Sequence, residues 1–188
     1  MKKKLGDIAE IRSGVYSKTT DRGGVHYIQA KNFDENNILS PHLTPNLLLN
    51  PQVKKNLLRK GDVLFASKGF DNFAAVYNSD YKTAVASSIF LILYNIDNEI
   101  VLPAYLAWFI NQPGMQEFLK RSAKGTSLPS ISKRILSDIY IEIPTIKKQE
   151  LILRVSNLII REKKIRRKIQ ERREKLLNHQ LLNVISNE

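Results

Sequence analysis

The sequence of 188 residues contains no cysteine. This absence excludes disulfide scaffolds, thiolate metal sites and cysteine nucleophiles. There is also no run of about eighteen apolar residues, the length that a membrane-spanning helix needs. Met1 and the three lysines at residues 2–4 could begin a signal peptide, but the apolar stretch that should follow is interrupted by Gly6, Asp7, Glu10 and Arg12. We therefore expect a cytoplasmic protein.

Helix-breaking residues are missing from the last quarter of the chain. All seven prolines and all eight glycines lie at or before Pro144, and Leu, Ile, Lys, Arg, Glu and Gln dominate the residues beyond it. Such a composition predicts one long helix. The sequence thus predicts two parts: a globular domain over residues 1–145 and a helical arm over residues 146–188.

The globular part alternates between segments typical of strands and segments typical of turns. Segments rich in β-branched or aromatic residues and bounded by turn formers are the predicted strands, at residues 25–30, 62–66, 88–94 and 139–143. Apolar spacing predicts helices at residues 103–111 and 115–124. Leu5, Ile8, Trp108 and Ile141 are predicted core residues. The fold class is therefore α+β, with a strand order that the sequence does not specify.

Positive charge is concentrated in the arm. The formal net charge is +12, and residues 146–188 hold 12 basic and 5 acidic residues against 18 and 13 in residues 1–145. This excess predicts a polyanionic partner. Within the arm, residues 161–175 carry nine basic and three acidic residues. That run is either a solvated helix face or a surface for DNA phosphates or an acidic partner.

The arm also carries an apolar seam with heptad spacing. Its apolar positions are Leu151, Val155, Leu158, Ile165, Ile169 and Leu176, and its two charged positions are Glu162 and Arg172. In an antiparallel pair of identical helices centred on Arg167, Glu162 would face Arg172 of the other copy, twice. In a parallel pair each would face its own like-charged twin. The pattern therefore favours an antiparallel coiled coil between two copies, the alternative being a helix folded back on its own domain.

Residue patterns for catalysis are weak. His26, His42 and His179 lack metal-ligand or triad spacing, and no phosphate-cradling or dinucleotide-binding glycine motif occurs. A Mg²⁺-dependent nuclease is a remote alternative, based on Asp80-Tyr81-Lys82 with Asp62 upstream. We predict a non-catalytic chain without a metal site.

Four loops combine Lys or Arg with hydroxyl residues, glycine or aromatics. Such a mixture suits DNA, because cations and backbone N–H groups meet phosphates while polar side chains reach base edges. The candidate DNA-contacting residues are Tyr16, Lys18, Lys31, Asn32, Lys68, Lys124, Thr126, Ser127 and Lys133. Gly61, Asp62 and Gly69 are predicted turn formers.

The order of these pieces resembles the specificity (S) subunit of type I restriction-modification systems. The matching segments are LGDIAEI at residues 5–11 followed by Ser13 and Gly14, then Tyr27 and Ile28, Leu58, KGDVLFASKG at residues 60–69, ASS at residues 86–88, LPAYL at residues 102–106, GTS at residues 125–127 with Pro129 and Ile131, and residues 136–143 leading to Pro144 and Gln149. Each segment is short, but together they cover essentially the whole chain in the family's order.

The resemblance implies a target-recognition domain followed by a long helix. In such subunits two domains each bind one half of a bipartite DNA target, and the helices dock modification subunits that bind S-adenosylmethionine and methylate adenine. A further restriction subunit cleaves DNA with ATP and Mg²⁺. The S subunit itself has no cofactor.

The chain departs from this pattern in having one recognition domain and one helix. It is therefore similar to a half-length S subunit or to an isolated half, and two copies could rebuild the full arrangement as a homodimer. The alternative partner scheme is a free-standing DNA-binding dimer, a regulator or decoy without an enzyme.

Overall fold

Strands and short helices alternate along the first part of the chain, and one long helix follows. The computed structural model describes residues 1–21, 23–78, 80–125 and 128–186, with side chains described as far as Leu182. The described strands are β1 (Lys2–Lys4), β2 (Glu10–Ser13), β3 (His26–Ile28), β4 (Val63–Ala66), β5 (Ala74–Val76), β6 (Ala84–Ala86), β7 (Phe90–Tyr94) and β8 (Tyr140–Glu142). The described helices are α1 (Pro51–Lys55), α2 (Pro103–Ile110), α3 (Pro113–Ser122), α4 (Lys133–Ser137) and α5 (Ile146–Ser186). The chain divides into two compact units, Met1–Glu150 and Leu151–Glu188.

The main sheet of the first unit is antiparallel, in the order β2–β7–β4–β5. Its two inner strands pair with Val63 opposite Leu93 and Phe65 opposite Leu91. Every residue of β4 is buried. Because alternate residues of a strand point to opposite faces, both faces of this sheet must be covered.

One face of the sheet is covered by the parallel pair of β3 and β6. Leu64 and Ile92 of the sheet pack there with Ile28 and Ala86 of the pair in one buried cluster. The other two residues of β4, Val63 and Phe65, point to the opposite face of the sheet. The helix α2 packs against β4 and β5. Pro103 occupies the first turn of α2, where its missing N–H leaves no helix hydrogen bond unmade.

A separate two-stranded sheet joins the first residues of the chain to the segment before the long helix. Its register places Lys2 opposite Glu142 and Lys4 opposite Tyr140. Just beyond the ladder, the Met1 ammonium donates to the carbonyl of Ile143 over 2.8 Å. Three consecutive lysines are not a strand pattern, so this strand depends on its distant partner.

The predicted α+β class and the long C-terminal helix are confirmed. The four predicted strands contain β3, β4, β7 and β8, and the two predicted helices contain α2 and most of α3. Leu5, Ile8 and Ile141 are buried, but the prediction for Trp108 was wrong. Trp108 is half-buried, because α2 turns Leu106 and Ile110 inward and leaves the indole at the border, 5.4 Å from the Tyr105 ring.

The predicted turn formers are confirmed as well. Gly61 has φ of 95° and Gly69 has φ of 111°, a region that side chains with a Cβ rarely adopt. The Asp62 carboxylate accepts a hydrogen bond from the Arg59 N–H over 3.0 Å and closes the turn before β4.

The first turn of α5 belongs to the first unit and is held there by Gln149. This side chain is fully buried. Its amide donates to the carbonyls of Ile100 and Pro144, both over 2.9 Å, and its oxygen accepts from the Leu102 N–H over 2.9 Å. A buried amide with three partners satisfies its polar atoms and fixes the start of the long helix.

Candidate nucleic-acid interface

The loop after β2, residues 13–18, is firmly held up to Val15 and exposed beyond it. The Gly14 N–H donates to the Phe90 carbonyl and the Val15 N–H to the Ala86 carbonyl, each over 2.9 Å. Tyr16 follows directly and is 77% exposed. Lys18 is exposed as well. A fixed backbone thus presents an aromatic ring and a cation to solvent.

Arg12 anchors this loop instead of joining its exposed face. Its guanidinium donates to the carbonyls of Lys55 and Leu57, lies 3.6 Å from the Asp62 carboxylate and packs over the Tyr94 ring. A planar cation with several fixed donors suits such a buried junction. Sequence reasoning missed this role of Arg12, because its partners Lys55, Leu57 and Asp62 are more than 40 residues away along the chain.

The loop between β4 and β5, residues 67–73, carries a second cation. At its base the Ser67 hydroxyl donates to the Ile89 carbonyl over 2.9 Å, and the buried Asn72 amide donates to the Ala66 carbonyl over 2.8 Å. Between these anchors Lys68 and Phe70 are exposed. The loop is therefore held at both ends and projects its middle outward.

Lys124 and residues 128–130 lie beside this loop. Ser130 bridges Lys68 on one side and Lys124 on the other, both in antiparallel fashion. Residues directly opposite one another across such bridges share one face. The structure thus brings together two lysines that are 56 positions apart in the sequence, and places both on the same face as Ser130.

The turn 86–90 connects all of these segments. Its Phe90 and Ala86 carbonyls accept hydrogen bonds from the Gly14 and Val15 N–H groups, respectively. Its Ile89 carbonyl accepts a hydrogen bond from the Ser67 N–H. Ser67 in turn accepts from the Ile131 N–H over 2.8 Å. We call residues 13–18, 67–73, 124–125 and 128–130 the loop cluster. It contains four predicted contact residues that the structure describes, which are Tyr16, Lys18, Lys68 and Lys124; Thr126 and Ser127 lie outside the described residues.

Lys31 and Asn32 lie next to this cluster. They form a 3-10 turn after β3, and the Ser87 N–H donates to Ile28, the last residue of that strand. The Asn32 side-chain oxygen accepts from the Gln29 N–H over 2.7 Å. Lys31 is exposed. This oxygen therefore stabilises the turn, while the lysine remains at the surface.

Lys133 lies near the opposite end of β2. It begins α4, whose N-cap is Ser132. Lys133 contributes to lowering the pKa of the Glu10 carboxyl, although the larger cause is the 2.6 Å hydrogen bond that the Tyr94 hydroxyl donates to that carboxyl. Glu10 is the first residue of β2, whereas the loop cluster follows its last residue. Of the predicted contact residues, Lys133 is thus set apart.

The two carboxylates considered for a nuclease are separately paired. Asp62 faces Arg12, and burial raises the pKa of its carboxyl. Asp80 accepts from the Lys60 ammonium over 2.6 Å, which lowers its pKa. In the described residues no three His, Asp or Glu side chains are grouped as metal ligands. Each aspartate is thus engaged in an ion pair of its own, Asp62 in a largely buried one and Asp80 in an exposed one.

In the second unit, the apolar seam of α5 is open to solvent. The exposed apolar side chains include Leu151, Val155, Leu158, Ile165, Ile169 and Leu176. Charged pairs run along the same helix, from Glu162 to Arg166 and from Arg167 to Glu171. In the described part of the chain, no helix combines the length and apolar character that crossing a membrane requires.

The fold occurs in solved S subunits of type I restriction-modification systems. The HsdS subunit from Thermoanaerobacter tengcongensis matches with a TM-score of 0.63 at 18% identity, over 86% of this chain and 37% of that chain. The S subunit from M. genitalium matches with a TM-score of 0.58 at 14% identity, over 84% and 38%. A fold of this kind, with mixed strands and helices and one long helix, thus occurs within this class of protein.

Sequence comparison then identifies the family. Residues 1–172 match the type I restriction modification DNA specificity domain, so the chain belongs to that family. It is also 22% identical over 139 residues to the type I restriction enzyme EcoBI specificity subunit of Escherichia coli, covering 73% of this chain and 29% of that protein. The chain spans well under half the length of each of these relatives.

Proposed function

We propose that this chain is a sequence-specific DNA-recognition subunit of a type I restriction-modification system, which directs adenine methylation, and restriction, by partner subunits. The family match over residues 1–172 carries the proposal. The loop cluster supplies the surface, since Lys68 and Lys124 lie on one face across Ser130.

On DNA, the cations and the exposed aromatic ring of the loop cluster have different tasks. Lysine ammonium groups bind phosphates whatever the sequence, and they release counterions. Tyr16, presented by a backbone that is fixed at Val15, has a hydroxyl and a ring that reach base edges. Lys31 extends the basic surface from the adjoining turn.

The helical arm pairs, in this proposal, with the arm of a second copy. A two-fold axis opposite Arg167 would place Leu158 against Leu176, Ile165 against Ile169 and Glu162 against Arg172. The open seam supports this arrangement, because its apolar side chains are exposed in the single chain. Burying such a seam drives helix association.

A symmetric pair has a defined DNA target. A protein two-fold axis imposes the same symmetry on the DNA, so the homodimer binds two identical, inverted half-sites with a fixed spacer. The paired helices also offer the docking surface for modification subunits. Those subunits carry S-adenosylmethionine, and a restriction subunit carries ATP and Mg²⁺.

Co-expression with a methyltransferase subunit encoded beside the chain tests the proposal. We expect new methylated adenines at one inverted repeat across the genome, and loss of this methylation when Lys68 and Lys124 are both changed to alanine. A complex that forms but adds no methylation contradicts the proposal. DNA binding without any methyltransferase association would favour the free-standing dimer instead.

A further inference from the structure

Two exposed apolar side chains lie at the outer end of the loop cluster. Phe70 is 69% exposed and Leu128 is 57% exposed. Phe70 follows Gly69, whose N–H donates to the Pro129 carbonyl over 2.9 Å, and Leu128 directly precedes Pro129. Phe70 and Leu128 therefore adjoin the two ends of one backbone hydrogen bond between the two segments. We call Phe70 and Leu128 the apolar tip.

The backbone beneath the apolar tip is fixed. One side is held by the Asn72 amide on the Ala66 carbonyl and the other by the mutual hydrogen bonds of Lys124 and Ser130, at 3.1 and 2.9 Å. Exposure of large apolar side chains to water is unfavourable, so covering them with a partner lowers the free energy. Phe70 and Leu128 thus have the properties of a contact surface.

The charges around the apolar tip indicate which partner covers it. Lys68 precedes Phe70 by two residues, and Lys124 lies on the same face as Lys68. The residue after Phe70, Asp71, is exposed and acidic. A carboxylate is repelled by phosphates but accepts hydrogen bonds from base amino groups. On double-stranded DNA, Lys68 and Lys124 would therefore meet phosphates at the edge of a groove, and Asp71 would meet bases at the floor of that groove.

The shape of the two segments selects the groove. Residues 67–69 and 129–131 run antiparallel side by side, joined by the bridge between Lys68 and Ser130 and by the two backbone hydrogen bonds that flank it. Paired strands lie about 4.8 Å apart before side chains are added. The major groove of B-DNA, about 12 Å wide, admits a two-stranded ribbon, whereas the minor groove, about 6 Å wide, does not.

We propose that Phe70 and Leu128 contact the 5-methyl group of a thymine in the major groove and so select a T·A pair at one position of each half-site. This inference rests on the proposed function, because it requires specific DNA binding. Among the major-groove edges of the four bases, thymine presents a methyl group, and apolar side chains recognise it by packing.

Replacing thymine by uracil removes this methyl group and leaves base pairing intact. The test uses the full chain with its methyltransferase partner and duplexes of the sequence found by methylation mapping, with each thymine replaced in turn. We expect one replacement per half-site to weaken binding about fourfold, the effect of burying one methyl group. Phe70→Ala and Leu128→Ala should each weaken binding to the thymine duplex and shrink the thymine-to-uracil ratio towards one.

Matched variants separate this contact from general effects. Leu49→Ala removes a leucine that is 56% exposed, almost as much as Leu128, but lies outside the loop cluster, so both affinity and the ratio should stay unchanged. Lys68→Ala should weaken both duplexes alike and leave the ratio intact. Thermal unfolding of every variant confirms that it folds.

Four outcomes would overturn the inference. Specific binding with no uracil-sensitive position rejects the methyl contact while leaving the proposed function intact; absence of specific binding rejects the proposed function itself. A wedge between bases would unstack 2-aminopurine placed in the site and raise its fluorescence on binding. A Phe70→Ala variant that abolishes this rise but keeps the thymine-to-uracil ratio identifies such a wedge instead. Loss of the methyltransferase partner on Phe70→Ala identifies a protein-binding surface.

Discussion

The guanidinium of Arg12 lies 3.6 Å from the carboxylate of Asp62, and both side chains are largely withdrawn from water. This pair connects the end of β2 with the turn before β4. Arg12 lies four residues before Tyr16 in the sequence, so the ion pair holds the strand from which the loop with Tyr16 continues.

Arg12→Met should destabilise the first unit by about 2–3 kcal/mol, because it leaves a buried carboxylate without its partner. Arg12→Lys keeps the charge but loses the planar donors to the Lys55 and Leu57 carbonyls. Its stability should therefore lie between those of the wild type and Arg12→Met. Urea unfolding at neutral pH measures these differences. Equal stability of the Met and Lys variants would show that the charge on Arg12 is unimportant.

The same variant has a defined pH dependence. Burial raises the pKa of the Asp62 carboxyl above its ordinary value of 3.8, and the neighbouring Arg12 lowers it, so removing Arg12 raises it further. A folded-state pKa above the unfolded one means that stability increases as the pH falls through the folded value. The deficit of Arg12→Met should therefore shrink in mild acid and stay constant above neutrality.

Tyr77 gives a dependence of the same sign at alkaline pH. Burial raises the pKa of its phenol from 10.0 to about 12. The folded state thus keeps a proton that the unfolded state releases, and stability is full below pH 10 and lost towards pH 12. At pH 8 Tyr77→Phe should be less stable by about 1 kcal/mol, since it loses the hydrogen bond to the Tyr81 carbonyl.

At pH 11.5 the wild type should lose about 2 kcal/mol relative to Tyr77→Phe, which reverses their order. The measurement is urea unfolding of both proteins at the two pH values. Because the difference between them isolates one phenol, other tyrosines and lysines cancel. A gap that does not change with pH would show that the Tyr77 phenol titrates as it does in water.

Gly14→Ala tests the close approach of two backbones beneath the loop cluster. A Cβ at this position would lie 2.1 Å from the Ser87 carbonyl oxygen, so the loop must move. We expect a loss of about 1–3 kcal/mol and weaker DNA binding, because Tyr16 moves with the loop. Gly24→Ala is the matched control, since nothing lies within 4 Å of its added Cβ. Similar losses from both variants would contradict this explanation.

These supporting contacts show where sequence patterns are sufficient and where they fail. The long helix was predictable because propensity and missing helix breakers are local properties of residues 146–186. β1 was not, since Lys2–Lys4 becomes a strand by pairing with β8, some 140 residues away. The prediction that Trp108 is a core residue failed for a similar reason. An aromatic residue in an apolar helix indicates burial, but tertiary packing decides which side of the helix faces the sheet.

The loop cluster illustrates the same limit. Lys68 and Lys124 were each candidates from their local composition, but their shared face depends on Ser130, which lies between them in space. Phe70 and Leu128 were missed as candidates because single apolar residues in loops are common. Their exposure and their common hydrogen bond become visible once the two segments are side by side.

Lys68→Ala and Lys124→Ala should each weaken DNA binding without changing sequence preference. If each ammonium neutralises one phosphate, each variant lowers the slope of log affinity against log salt by about 1. Lys54→Ala removes an exposed lysine of α1, outside the loop cluster, and should leave the slope unchanged. Affinity measured by fluorescence anisotropy from low to high salt distinguishes these cases. A changed base preference would instead assign that lysine to a base edge.

Disulfide cross-linking can test the proposed antiparallel pairing of α5. Because the sequence contains no cysteine, the introduced cysteines are the only thiols. With a two-fold axis opposite Arg167, residue 158 meets residue 176 of the other copy. Leu158→Cys combined with Leu176→Cys should therefore give a covalent dimer on oxidation. Leu158→Cys alone should not, because its twin lies about 27 Å away along the helices at 1.5 Å per residue. Efficient cross-linking of the single variant would indicate parallel helices.

Charge reversal tests the same register without cross-linking. Glu162→Arg places a cation against Arg172 of the other copy and should weaken self-association, and adding Arg172→Glu should restore it because the ion pair is rebuilt with its signs exchanged. Within one helix Glu162 pairs with Arg166, so the single variant also loses that contact. The double variant does not rebuild the Arg166 pair, and restored association, measured by sedimentation equilibrium, therefore reports the contact between copies. A double variant as weak as the single one would rule out this register and leave the seam of α5 to another partner.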